Sequence, residues 1–269
     1  MKLLLFFLLF FSPAVFAQRY QPENITALLG AFDAEVKLVQ QALEQPETVV
    51  VNGVLFMTGR IGSQRVVVAE TGIGKVNAAM TTAIALTHFR PRRVLFTGIA
   101  GGTNPDLQPG DIVIARQIAY HDYQSITFDQ KPTRQTRNAI TKEMNPAYFP
   151  ADSALLQEAA CVAGAMVFDA IPLTKRPPSV VVGTVVTGDQ FISSAEKVRQ
   201  LRADFGADAT EMEGAAVAQV CYQQQVPCLV IRSLSDRADD NARHDMMTFY
   251  QTAARNSARL VLAMVRALE

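Results

Sequence analysis

The sequence predicts a three-layer α/β/α domain on a central mixed, twisted β-sheet, and three observations carry that prediction. Short apolar runs rich in Val and Ile alternate with amphipathic stretches from residue 25 to the C-terminus. Glycines follow several of those runs directly, at Gly30, Gly72, Gly74, Gly101 and Gly102, where a strand end has to turn. The chain has 269 residues, 49% of them hydrophobic, within the size at which one core still serves the whole molecule. A single domain over residues 18–269 is therefore expected. Its 25 basic and 25 acidic side chains cancel, which argues against nucleic acid or an anionic membrane surface as partner and favours a small ligand.

Residues 1–17 stand apart. Met1-Lys2 is a minimal positive start, Leu3–Phe11 is an unbroken apolar run, and Val15-Phe16-Ala17 places small residues where a signal peptidase reads. The run is too short to span a bilayer, which takes about 20 residues. We expect a signal peptide cleaved after Ala17, export to a bacterial periplasm, and no membrane attachment of the mature chain.

Ile25–Gly30 reads as a buried strand ending in a glycine turn, and 34–43 as an amphipathic helix with Val36, Val39 and Leu43 on one face. Glu35 then sits at the start of a helix just past a strand end, where ligands of open α/β sheets gather. Val49–Thr58 and 64–70 read as strands, with Asn52-Gly53 at a hairpin tip. The stretch TGIGKVNAA (71–79) turns into a long helix but lacks the spacing of either common phosphate loop. A further strand, 93–98, runs into Ile99-Ala100-Gly101-Gly102, small residues that let a ligand approach the main chain. Residues 124–150 are irregular and suit a flap or a subunit contact. Helix returns at 151–163, strand at 180–187, and a short helix at 198–201. Helix at 213–222, strand at 229–234 and a closing helix from Met246 to Leu268 complete the pattern.

Cys161, Cys221 and Cys228 are an odd count for an oxidising compartment. Free cysteines are the default reading, with a Cys221–Cys228 disulfide as the alternative. His88, His121 and His244 form no ligand-spaced pair, so neither a metal nor a cofactor is expected.

Three carboxylates and one aromatic occupy positions suited to cleaving a purine–ribose bond. That reaction develops positive charge on the sugar and negative charge on the leaving base. Asp236, beyond a buried strand, suits a general acid whose pKa apolar neighbours raise, although Asp there is also a common helix cap. Glu213 offers two acceptor oxygens to a ribose diol, or a charge to a helix start. Glu35 suits the base for a water, and Phe191 suits a stacking surface or plain core.

Six segments together resemble the 5′-methylthioadenosine/S-adenosylhomocysteine nucleosidases of the nucleoside phosphorylase superfamily. They are GAFDAEV (30–36), TGIGKVNAA (71–79), TGIAGG (97–102), GDQFISS (188–194), TEMEGAA (210–216) and IRSLSD (231–236). The resemblance implies a nucleoside phosphorylase-like fold, a homodimer, and hydrolysis that releases adenine. It implies Asp236 as acid at adenine N7, Glu35 as the group activating water, and Glu213 on the ribose with Met212 packed against the sugar. Phe191 would stack on the base and the Ile192 main chain would read the adenine edge, Ile99, Ala100 and Gly101 would line the site, and Phe128 would reach a 5′-substituent pocket across the dimer. A phosphate-dependent phosphorylase and a non-catalytic nucleoside-binding protein are the alternatives. The carboxylate of GAFDAE near the first strand end repels phosphate and favours water.

Overall fold

The structure is a computed structural model that describes residues 24–125, 133–172 and 174–268. The expected signal peptide and Phe128 lie outside those residues.

Strand β1 (Ile25–Gly30) buries every residue but its first, and α1 (Asp33–Gln41) follows at once with Glu35, Val36 and Val39 inward. β2 (Glu44–Val51) and β3 (Val54–Ile61) form the expected hairpin. Its tip residues Asn52 and Gly53 both take positive φ, 50° and 84°, the backbone that a two-residue turn matching strand twist requires. β4 (Gln64–Glu70), α2 (Lys75–Phe89), β5 (Arg93–Gly102) and β6 (Ile112–Tyr120) come next. After them lie β7 (Phe149–Pro150), α3 (Ser153–Gly164), β8 (Val180–Thr187), α4 (Ala195–Phe205) and β9 (Ala209–Glu211). α5 (Gly214–Gln223), β10 (Cys228–Asp236) and α6 (Ala242–Ala267) complete the chain.

The strands form one mixed sheet in the order β10-β6-β8-β9-β5-β1-β4-β3-β2. β10 also pairs along β5, from Cys228 opposite Val94 to Asp236 opposite Gly101, so five strands curl into a closed ring from which β1 to β4 extend. One face carries α1, α3 and α6 over Leu28, Val68, Leu95 and Ile231. The other carries α2 and α5 over Ala27, Val67, Phe96 and Val230. This is the three-layer arrangement expected from the alternation of strands and helices.

β1, β4, β5 and β10 run parallel, so their C-terminal ends open together. The residues at those ends are Gly30, Glu70, Gly102 and Asp236. Between Leu234 and Asp236 the β10–β5 register slips, a bulge of the kind that re-aims a side chain at a sheet rim.

Candidate active site

Glu35 lies in the first turn of α1, only 3% exposed. No side chain caps that helix; instead the Glu35 carboxylate turns back and accepts hydrogen bonds from Ala31 N at 2.5 Å and Ile99 N at 2.9 Å. It thereby ties the β1 exit to the β5 exit. Burial raises its pKa to about 7, against the pull of Arg232 and of those two N–H groups. Gly98 permits this geometry, because a Cβ there would sit 2.6 Å from Glu35 Oε1 and 2.8 Å from Arg232 Nη1.

Arg232 is a guanidinium in the middle of an apolar strand, 1% exposed and stacked 4.2 Å from the centre of the Phe96 ring. Its Nη2 donates to Glu211 Oε2 at 2.7 Å. The same oxygen accepts from Glu213 N at 3.1 Å and Gly214 N at 2.7 Å, and Thr187 Oγ1 donates to the other oxygen. Glu211 therefore does the capping work at the start of α5. That leaves the Glu213 side chain free of this task, and it turns across the site to accept from Gly74 N at 2.8 Å. Burial, then the neighbouring Glu211 charge, raise the Glu213 pKa to about 8.

Asp236 ends β10 and is 3% exposed. Ser235 Oγ donates to its Oδ2 and Ala238 N to its Oδ1, both at 2.7 Å. Burial nevertheless raises its pKa to about 6. Gly101 makes room for it, since a Cβ there would fall 2.9 Å from Asp236 Oδ1 and 2.8 Å from Ala238 Cβ.

Glu35, Glu213 and Asp236 all open onto one cavity of about 350 Å³. Ile99, Ala100, Gly101, Met212 and Phe191 also line it, with Phe191 about half exposed. Ile192 does not line it: its side chain packs inward with Val186, Leu201 and Phe205, which leaves only its main chain for a ligand. A larger cavity of about 630 Å³ lies against α5 and β10 elsewhere, but none of the three carboxylates reaches it. Chemistry rather than size therefore marks the site.

Sequence reasoning missed Phe32, Ile73, Met246, Met247 and Tyr250, which form the apolar side of the cavity. It also missed the Arg232–Glu211 pair. The signal for that pair was present, because a lone arginine inside CLVIRSLS can be buried only with a partner.

Comparison with known proteins gives the class first. Residues 26–266 match a family model described as the Phosphorylase superfamily. The curated 5′-methylthioadenosine/S-adenosylhomocysteine nucleosidase of Geobacillus thermodenitrificans is 38% identical over 90% of this chain and 97% of its own length. The crystal structure of the nucleosidase of that name from Colwellia psychrerythraea, in complex with adenine, superposes with a TM-score of 0.81 at 35% identity. It covers 91% of this chain and 96% of that one. The futalosine hydrolase of Helicobacter pylori superposes with a TM-score of 0.78 at 30% identity, over 91% of this chain and 98% of that one. The chain belongs to the 5′-methylthioadenosine/S-adenosylhomocysteine nucleosidase family of the phosphorylase superfamily.

Proposed function

We propose that this protein hydrolyses the N-glycosidic bond of adenine nucleosides such as 5′-methylthioadenosine and S-adenosylhomocysteine, releasing adenine. The observation that carries this reading is the convergence of three buried carboxyl groups with raised pKa values on one nucleoside-sized cavity. The adenine complex of the Colwellia relative supports it.

Asp236, held at about 6, keeps part of its population protonated near neutrality and delivers that proton to the departing base. Phe191 and the main chain around Ile192 receive the base. Glu213 faces the ribose with Met212 beside it, and burial raises its pKa to about 8. Protonated, it can donate to one hydroxyl and accept from the other; positive charge growing on the sugar draws it toward the ionised form, which accepts from both. Glu35, at about 7, is half ionised there and takes the proton of the attacking water. Arg232 lies among Glu35, Glu211 and Glu213, and its charge opposes the rise that burial gives the pKa values of Glu35 and Glu213. Because it is committed to Glu211, it does not serve as a phosphate cradle, which supports water over phosphate as the nucleophile.

The apolar wall of Phe32, Ile73, Met246, Met247 and Tyr250 suits a 5′-substituent that is a thioether rather than a phosphate or a free hydroxyl. Released base should be scored across methylthioadenosine, S-adenosylhomocysteine, futalosine, adenosine and inosine, as hypoxanthine for futalosine and inosine and as adenine for the others. The reading requires the two thioether nucleosides to have the highest kcat/KM. Preference for inosine or adenosine, or no base release at all, rejects it.

We also infer a homodimer, supported by the exposed apolar side chains of Ile73, which lines the cavity, of Val76 and Met80 on α2, and of Tyr123. Sedimentation equilibrium checks it. Export is supported by the leader-like first 17 residues. A mature N-terminus at Gln18 in the periplasmic fraction is the expected result.

A further inference from the structure

Cys221 and Cys228 lie apart from the nucleoside cavity, on two elements that both reach it. Cys221 is buried in the last turn of α5, and Cys228 is the half-buried first residue of β10. The connection between them folds back, with Val226 N donating to Cys221 O at 2.9 Å. This brings both side chains to one hydrophobic cluster, with Cys221 buried in it and Cys228 packed against it. Both line the larger cavity of about 630 Å³, beside Tyr222 and Phe149, which gives a small reagent a route to them. Cys161 is exposed on α3 and does not line that cavity.

We propose that Cys221 and Cys228 form a redox-active thiol pair that closes to a disulfide and staples the C-terminal end of α5 to the start of β10. The oxidant is a small organic disulfide. The Cys228 thiol, the more accessible, loses its proton and attacks one sulfur of the oxidant, expelling one thiolate and leaving a mixed disulfide. Cys221, on the same cavity wall, loses its proton, attacks the Cys228 sulfur and expels the second thiolate. Two protein thiols are oxidised, one disulfide is reduced to two thiols, and the two protons leave with them.

The neighbouring Cys228 thiol, then burial, hold the Cys221 thiol well above the ordinary range. It therefore reacts poorly with an oxidant on its own, and the order of attack is set by Cys228. The staple joins the helix whose start carries Glu213 to the strand whose end carries Asp236. Its effect falls on how long these elements stay assembled, and it does not depend on which nucleoside the site accepts.

The folded chain should be treated with oxidised glutathione, quenched in acid, alkylated and cut with trypsin. Residues 203–232 contain no lysine or arginine before Arg232, so one peptide carries both cysteines while Cys161 lies in another. The expected result is a 203–232 peptide lighter by two hydrogens and unalkylated, restored by reductant, with Cys161 alkylated or glutathionylated. Two alkyl groups on that peptide, or stable glutathione adducts on it under conditions that modify Cys161, would overturn the proposal. In Cys228→Ser, Cys221 should resist glutathione until the chain is denatured; modification at the wild-type rate would contradict the assigned order. Oxidation should slow heat inactivation several-fold in the wild type and leave Cys228→Ser unchanged. Equal rates with the cross-link formed would remove the stapling role.

Discussion

Asp236→Asn isolates the proton donor with little disturbance around it. The amide oxygen can still accept from Ala238 N, and the amide nitrogen can donate to Ser235 Oγ in place of the present bond. We expect adenine release to fall about 10²–10⁴-fold with a melting temperature close to that of the wild type. Steady-state kinetics and calorimetry on one preparation check both halves, and near-normal turnover would remove the acid role from this residue. Asp236 at about 6 and Glu35 at about 7 also set the pH dependence of kcat/KM. The active form needs the first protonated and the second ionised, the reverse of their preferred order. The profile should be bell-shaped with its maximum between them, and only a minor fraction of molecules is in the active form there. A flat profile from pH 5 to 8 contradicts the assignment. These three carboxylates were readable in the sequence because each falls at a strand exit or a helix start. Arg232 signalled a buried partner, but nothing local says which of two glutamates in TEMEG takes that place and caps the helix and which faces the ligand. Only the fold decides that Glu211 takes the N–H groups of Glu213 and Gly214.

Among the elements, the exits of β5 and β10 are fitted to each other through glycines. Gly98→Ala would drive a methyl against the Glu35 carboxylate and the Arg232 guanidinium together. We expect a stability loss of about 1–3 kcal/mol and a large loss of kcat. Gly164→Ala, at a position with nothing within 4 Å, should change neither beyond about 1 kcal/mol. Chemical denaturation of the pair checks the contrast, and equal effects would mean that Gly98 is not a packing constraint on the site. Most elements were legible from period and glycine punctuation, including the hairpin at Asn52-Gly53. Two were not. β6 lies in a run whose buried side chains on both faces give no alternation, and β9 is three residues long. The apolar wall of the cavity was missed for a related reason. Met246, Met247 and Tyr250 fall on the early turns of α6, which begins at Ala242, ahead of the predicted start at Met246.

For the whole molecule, burying three carboxyl groups links folding to pH. Glu35, Glu213 and Asp236 have folded pKa values above their ordinary ones, so the folded state holds protons that the unfolded chain releases. That contribution is complete below about pH 4 and is lost as pH rises through about 6 to 8. His121 acts oppositely, since burial lowers its pKa and favours folding as pH rises through its ordinary value. Three groups outweigh one, so unfolding free energy should fall between pH 5 and 8. Glu213→Gln should flatten that fall, and an unchanged slope in the variant would show that Glu213 does not hold its proton in the folded state. Glu35→Gln is the less clean probe, because its amide cannot accept from both Ala31 N and Ile99 N and leaves one buried donor unpaired at about 1–3 kcal/mol.

The central claim is that Glu35 delivers water to a sugar whose base Asp236 protonates. It is tested most directly by following methylthioadenosine turnover in phosphate-free buffer and again with added phosphate. The account predicts adenine and a free pentose thioether at the same rate in both. Turnover that appears only with phosphate, with a sugar 1-phosphate as product, would contradict it.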